Sequence, residues 1–361
     1  MAEHIPEDVI VKIFQRLPIK SLIRFTSLSK RWRFIILRDR QFATSQYQIA
    51  SDNNKSVCFR TCFDFDCEFF KSLNLQTTTS ALTNLRCPFK QPNCVVFLYS
   101  SCRGLVFASF NSIARYIWNP STGFFKKLPD PGVQTEFQVF TGFGYISATD
   151  EYKILIATSK RGKKGEGAKI RIFSSKSNSW KRIQDSQYFV LSTTFDGTLL
   201  NEALHWLRRS DVVIVAFDLA DEEFRTMPLP VVEDHYAGGY FRHLGDFGGC
   251  LCVFGQADTN AGSMDLWVMR EYDAGNSWTK LFNLKFSDQP EQINFVKPIW
   301  VMETSTFMEV RTNSERDPKW VRSYHKEEKI EEIHMKENIF KDIRTERESV
   351  IGYEESLLWL E

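Results

Sequence analysis

A pairing of aromatics recurs along most of this chain and constrains its fold more than any other feature. Trp118-Asn119-Pro120-Ser121-Thr122-Gly123 leads to Phe125, Phe173-Ser174-Ser175-Lys176-Ser177-Asn178 leads to Trp180, and Phe217-Asp218-Leu219-Ala220-Asp221 leads to Phe224. Each time a strand-like run enters a turn rich in Asx or Ser, and a second strand carries its aromatic seven residues after the first. Glu271-Tyr272-Asp273-Ala274-Gly275-Asn276 leads to Trp278 with the gap one residue shorter. Trp118, Phe173 and Phe217 are 55 and 44 residues apart, and Phe217 to Tyr272 is 55 again. A hairpin at this period is the mark of β-propeller blades rather than of a sandwich. One four-stranded blade cannot cover both of its faces, so neighbours must stack, and the recurring aromatic is expected to fill the space between them.

Short apolar runs bounded by Gly, Asn, Asp or Ser supply the strands, as at residues 95–99, 104–107, 153–156 and 169–173. They place blades at 94–136, 137–188, 189–237, 238–292 and 293–345. Strand-like pieces at 56–60 and 68–75, and a run at 350–359, are left over. Joining them closes a sixth blade with strands from both ends of the region and leaves no free sheet edge. The expected fold is a small all-α module of three short helices (residues 1–45), followed by an all-β domain (46–361): a six-bladed β-propeller closed by its first and last strands.

The helical module differs in period and in charge. Residues 1–40 carry nine Lys or Arg and four acids, a net +5, whereas the whole chain has 46 basic and 45 acidic residues. Val9, Ile10, Ile13, Phe14 and Leu17 share one face at the three-to-four spacing of a helix. Pro6 suits its first turn, Glu7 and Asp8 favour its positive end, and Pro18 stops it. Further helices fit 20–25 and 29–37, the latter with Trp32, Ile35 and Ile36 as its apolar side. Three such helices cannot bury enough surface to stand alone. They are expected to lean on a neighbour or a partner. A helix-turn-helix DNA reader is disfavoured: the turn Arg16-Leu17-Pro18-Ile19-Lys20 has no glycine, and the third helix interleaves its charges with bulky apolar residues.

Other classes are weakened in turn. With 361 residues, 43% of them hydrophobic and 14% aromatic, the chain can build a large core and is not disordered. Its apolar runs are far shorter than the roughly 20 residues that span a bilayer. The opening Met1-Ala2-Glu3-His4-Ile5-Pro6-Glu7-Asp8 lacks the basic-then-apolar order of a signal peptide. The expectation is a soluble protein of the cytoplasm, the nucleus or both, bound to neither membrane nor nucleic acid. Cys58, Cys62, Cys67, Cys87, Cys94 and Cys102 crowd one region, but without the repeated close pairs or paired histidines of structural zinc they read as reduced core cysteines. Cys250 and Cys252 are expected to share one face of a strand.

No catalytic motif is present: no Gly-x-Ser-x-Gly, no His-Glu-x-x-His, no phosphate loop. Gly162-Lys163-Lys164-Gly165-Glu166-Gly167-Ala168-Lys169 reads as a hairpin tip. His205 beside Trp206 reads as core rather than base. Asp211, Asp218, Asp221, Glu222 and Glu223 read as turn acids rather than metal ligands. Residues 311–348, with ten basic and ten acidic side chains, read as a solvated face. Asn54-Lys55-Ser56 is a formal glycosylation sequon with no secretory context.

Two stretches carry a family resemblance. Ile5-Pro6-Glu7-Asp8-Val9-Ile10-Val11-Lys12-Ile13-Phe14-Gln15-Arg16-Leu17-Pro18-Ile19-Lys20-Ser21-Leu22-Ile23-Arg24-Phe25, then Ser29-Lys30-Arg31-Trp32, resembles an F-box, in particular that of plant F-box proteins. Ile5 stands for the usual Leu, Ser29 for a frequent Cys, and Arg40 where proline is common. Arg103-Gly104-Leu105-Val106, Ile117–Gly123 with its Trp-Asn-Pro, Gly142-Phe143-Gly144-Tyr145, Asn201-x2-Leu204-His205-Trp206, Asp265-Leu266-Trp267 and Tyr353-Glu354-Glu355-Ser356-Leu357 are similar to the F-box-associated domain, in order. Kelch-type paired glycines occur at Gly238-Gly239 and Gly248-Gly249, so the region is kelch-like only loosely. Pollen S-locus F-box proteins belong to the same superfamily.

The resemblance implies a non-catalytic substrate receptor of an SCF-type ubiquitin ligase, without cofactor or metal. Its F-box would bind a Skp-family adaptor and through it a cullin, and its propeller would hold a target protein of unknown identity. Ile5, Pro6, Ile10, Leu17, Pro18, Leu22, Lys30 and Trp32 are the implied adaptor-binding residues. The competing class is a propeller enzyme acting on a small molecule, with the helices as a structural cap. It would need acids or histidines converging at one mouth of the channel.

Overall fold

The computed structural model describes residues 5–50, 55–63, 67–75, 82–85, 87–88, 96–110, 114–133, 137–159, 168–183, 195–208, 213–232, 241–255, 262–287, 293–312, 319–326, 329–332 and 350–360. The chain divides into two compact units, Met1–Leu128 with Asp342–Glu361, and Pro129–Lys341.

The first unit opens with helices α1 (Glu7–Phe14), α2 (Ile19–Phe25), α3 (Lys30–Arg38) and α4 (Arg40–Ala50). Pro6 and Pro18 each precede a helix, and their carbonyls accept the amides of Val9 and Ile10 and of Ser21 and Leu22. The Ser29 hydroxyl caps α3 by accepting the Trp32 amide at 3.1 Å. Three helices were expected, and four are described. The fourth begins because Asp39 is extended (φ −90°, ψ 107°) and its carboxylate accepts the Phe42 amide at 3.0 Å, an N-cap. Arg40 is then the first helical residue, a position where a helix accepts proline readily. The expected domain boundary at residue 45 falls inside α4.

Strands β1 (Lys55–Phe63), β2 (Cys67–Asn74), β3 (Thr83–Leu85), β4 (Val96–Cys102), β5 (Leu105–Phe110), β6 (Ala114–Trp118) and β7 (Phe125–Lys127) follow. The second unit holds β8 (Phe137–Ile146), β9 (Glu151–Ser159), β10 (Lys169–Ser174), β11 (Ser179–Arg182), β12 (Thr198–Leu200), β13 (Ala203–Arg208), β14 (Val213–Asp218) and β15 (Phe224–Pro228). It continues with β16 (Phe241–Phe247), β17 (Cys250–Gly255), β18 (Ser263–Met269), β19 (Trp278–Lys285), β20 (Ile293–Val301), β21 (Ser305–Thr312), β22 (Lys319–Tyr324) and β23 (Lys329–Glu332). Then β24 (Val350–Glu354) returns to the first unit.

Among the described residues these strands make six four-stranded antiparallel sheets. Five are runs of four consecutive strands, from β4–β7 to β20–β23, within the ranges that the strand-like runs predict. The sixth has the order β24-β1-β2-β3, with Lys55 opposite Glu354 and Phe59 opposite Val350.

The recurring aromatics are cross-strand partners of each outer hairpin: Trp118 opposite Phe125, Phe173 opposite Trp180, Phe217 opposite Phe224. The fourth case departs from expectation. Met269, not Tyr272, stands opposite Trp278, because a 3-10 turn at Gly275–Ser277 lengthens the connection and leaves Tyr272 in it.

Blade strands are buried from both sides, which is why they read as continuous apolar runs rather than as alternation. Along β14, Val215 and Phe217 join the core shared with β8–β11, while Ile214 and Ala216 join the core shared with β16–β19. Along β17, Leu251 and Val253 face back and Cys252 and Phe254 face forward. Cys250 packs on the same side as Cys252, as expected. Trp206, fully buried, fills the first of these cores, its Nε1 donating to the Thr141 carbonyl at 3.0 Å. Its ring leaves no room for a side chain at Gly197, where a Cβ would lie 2.7 Å from it. In the first unit Trp118 meets Phe70 edge-on, with centroids 5.3 Å apart.

Candidate functional site

The helices bury Phe14, Ile19, Leu22, Ile35, Ile36, Phe42 and Ala43 in one core. Phe14 is its centre, with Phe25 stacked at 5.2 Å and Trp32 tilted at 4.9 Å between ring centroids. Two residues from beyond the blades, Leu357 and Leu358, belong to the same core, and Trp359 packs against it.

This core uses only part of the apolar surface of the helices. On α1, Ile10 and Phe14 turn inward, whereas Val9 and Ile13, one helical turn apart, are 40% and 49% exposed. Ile5 just before α1 is 53% exposed, Leu28 after α2 63%, and Phe34 on α3 55%. With Ile49 of α4, 47% exposed, six large apolar side chains lie open on fifty residues of helix, the kind of surface that a docking face presents. The Glu7 carboxylate accepts from Arg31 at 2.7 Å, linking α1 to α3. On α3, Lys30, Arg33, Phe34, Leu37 and Arg38 line an open groove of about 270 Å³ that combines cations with an aromatic.

The eight residues read from the sequence divide. Ile5, Pro6, Pro18 and Lys30 are exposed, and Ile10, Leu17 and Trp32 are half-buried against the core. Leu22 is fully buried and supports the surface from beneath. Val9 and Ile13 were read only as part of the helix face, and Leu28 and Phe34 were not singled out. The available signal was an apolar stripe on α1 wider than one neighbour can cover.

Residues 3–43 match the family described as the F-box domain, and residues 73–359 match the F-box associated beta propeller domain. The chain belongs to the F-box associated beta propeller family. Its helices are thus an F-box, and an all-β six-bladed propeller domain follows them. It is 28% identical to the F-box protein CPR1 of Arabidopsis thaliana, over 82% of this chain and 76% of that one. The F-box/kelch-repeat protein At3g23880 of the same plant is 25% identical over 83% of each chain. TolB from Acinetobacter baumannii shares 9% identity at a TM-score of 0.43, covering 81% of this chain and 71% of its own.

Outside the F-box, the residues weighed for chemistry have structural partners. His205 is fully buried: Nδ1 donates to the Thr198 carbonyl at 3.1 Å and Nε2 accepts from the Tyr272 hydroxyl at 2.8 Å. Burial pushes its pKa down to about 4, so it stands neutral between β12 and the β18–β19 connection. The Asp218 carboxylate accepts the Ala220 and Asp221 amides as an ordinary Asx turn, and Glu222 is held by Lys153 and Lys181, both at 2.9 Å. Cys58, Cys102 and Cys252 are buried thiols with pKa values raised by burial. Among the described residues no group of three His, Cys, Asp or Glu could hold a metal, and no helix is long and apolar enough to cross a membrane. Cys94, Asp211, Gly238, Gly239, Asn54, residues 162–167 and most of 311–348 lie outside the described residues, as do the side chains of Cys62 and Cys67.

Proposed function

We propose that this chain is the substrate-receptor subunit of an SCF-type ubiquitin ligase. Its F-box binds a Skp-family adaptor, and through it a cullin, while the propeller holds a target protein for ubiquitination and degradation. The observation that carries this reading is the apolar surface of Ile5, Val9, Ile13 and Phe34, left open by helices whose other faces are buried in a shared core. The net +5 charge of residues 1–40 suits an acidic partner with an apolar groove. The subunit performs no chemistry itself: it acts by proximity, raising the effective concentration of target lysines near the charged conjugating enzyme. It works in the cytoplasm, the nucleus or both.

Co-precipitation of the adaptor tests the reading. Val9→Asp with Ile13→Asp, and separately Leu17→Ala with Pro18→Ala, are expected to abolish it, since apolar anchors of such interfaces contribute about 2 kcal/mol or more each. The first pair alters only exposed positions, so the fold is retained. Full adaptor binding by the folded Val9/Ile13 variant would refute the assignment.

A further inference from the structure

Three separate stretches of sequence meet where the F-box adjoins the blades. Asn119, at the β6–β7 turn, is fully buried and its side chain is saturated. Its Oδ1 accepts the Ser121 and Thr122 amides at 2.8 and 3.2 Å, and its Nδ2 donates to the carbonyls of Ser356 at 3.0 Å and Leu358 at 2.8 Å. Gly104 has φ +79°, and a Cβ there would lie 2.2 Å from Ser356 Oγ and 2.7 Å from the Glu354 carbonyl. The Ser356 hydroxyl donates to the Arg103 carbonyl at 3.1 Å. Residues 356–360 are thus laid along the β4–β7 blade by backbone-directed hydrogen bonds, with no regular secondary structure of their own.

Two side chains of this segment go the other way. Leu357 and Leu358, 2% and 6% exposed, enter the helical core beside Phe14, Leu22, Ile36 and Phe42. Helix α4 adds a polar contact, its Tyr47 hydroxyl donating to the Glu354 carboxylate while the Arg103 guanidinium lies 5.0 Å from the Tyr47 ring centroid. A module of this size lacks the buried area to order itself, and here the missing part of its core is supplied by residues about 300 positions later.

We propose that residues 356–360 are a strap that makes the F-box competent to bind its adaptor, so that competence arises only after the chain has been made past every described blade strand. The helices emerge before the blades in synthesis but lack a complete core until Leu357 and Leu358 arrive. A chain still without its blades therefore holds an F-box that its adaptor cannot engage. This rests on the adaptor-binding reading above.

The test uses the full chain with Leu357→Asp and Leu358→Asp, and separately Asn119→Ala, against wild type and a Leu357→Met/Leu358→Met control. Amide hydrogen exchange is followed in α1–α3 and in β9, β14 and β17, together with adaptor affinity. The Asp pair is expected to speed exchange in the helices and weaken adaptor binding, each by about tenfold or more, with the blade strands unchanged; the Met pair behaves as wild type. Wild-type exchange in the helices of the Asp variant, or wild-type adaptor affinity, overturns the strap. A wild-type chain that binds no adaptor removes the ligase reading instead, and helix exchange in the Asp pair still decides the strap.

Discussion

Strand β14 and helix α1 bury their apolar residues by different means. Val215 and Phe217 of β14 meet the preceding blade and Ile214 and Ala216 the following one, and the flanking cores are filled by sequence within about 80 residues on either side. Helix α1 leaves Val9 and Ile13 open, and its buried face shares a core with Leu357 and Leu358, on the far side of all the blades in sequence. In the second unit the blades are a nearest-neighbour system, in which each sheet packs on the next one in sequence. The F-box is a long-range one, completed by a segment with no repeat and no periodicity. Damage should therefore spread differently: between adjacent sheets in the blades, and between distant stretches of sequence at the F-box.

The strongest challenge to that contrast is Trp206→Ala. Emptying this site removes a fully buried ring and one of the two donors to the Thr141 carbonyl, the Gly197 amide remaining, at a cost of about 3–5 kcal/mol. Chemical denaturation followed by circular dichroism should show the loss. Helix exchange in the population that remains folded should match wild type; faster helix exchange there would mean that the two regions fail together. Gly104→Ala sharpens the contrast from the other side. It adds a Cβ into Ser356 and strains a left-handed position, together about 2–4 kcal/mol, and the loss should be seen first as faster exchange in α1–α3. Unchanged exchange there would show that the strap yields without releasing the helices.

The smallest effect concerns charge among the blades. Asp196 Oδ1 is buried without a partner, and Lys297 Nζ stands 3.8 Å from Oδ2. Burial pushes the Asp196 pKa up to about 6, and Lys297 offsets this only in part. A raised carboxyl pKa means that the folded chain holds the proton more tightly than the unfolded one. The penalty is absent below the ordinary carboxylate range, grows as pH rises and is complete above about 6. Asp196→Asn should match wild type at acid pH and exceed it at pH ~8 by about 1 kcal/mol, because solvent reaches part of the side chain. Equal melting temperatures at the higher pH would show that Lys297 cancels the cost.

What could be read from sequence follows the same division. The blades were legible because the Trp118–Phe125, Phe173–Trp180 and Phe217–Phe224 pairs lie within one hairpin each, so spacing alone reports them. The Tyr272–Trp278 pair misled, since a short 3-10 turn shifted the register without altering the aromatic pattern. Helix α4 was missed because its buried face includes small and polar residues, Ala43, Gln46 and Ala50, though Asp39 offered a cap. At the candidate surface, the side chains that point outward from α1 could be told from those that point inward only once the helices were packed. The strap was illegible in principle: Leu357 and Leu358 read as the end of a strand, and nothing in their spacing names a partner some 300 residues earlier.

The strap also changes what a damaged gene would make. A premature stop codon between the last helix and residue 356 encodes an intact F-box sequence, which by motif alone would be expected to compete for adaptor and poison the pool. Without Leu357 and Leu358 that fragment has no finished helical core to compete with. Such alleles should behave as simple recessive losses, not as dominant inhibitors, and the chain's own long-range contact would be what keeps its truncated products harmless.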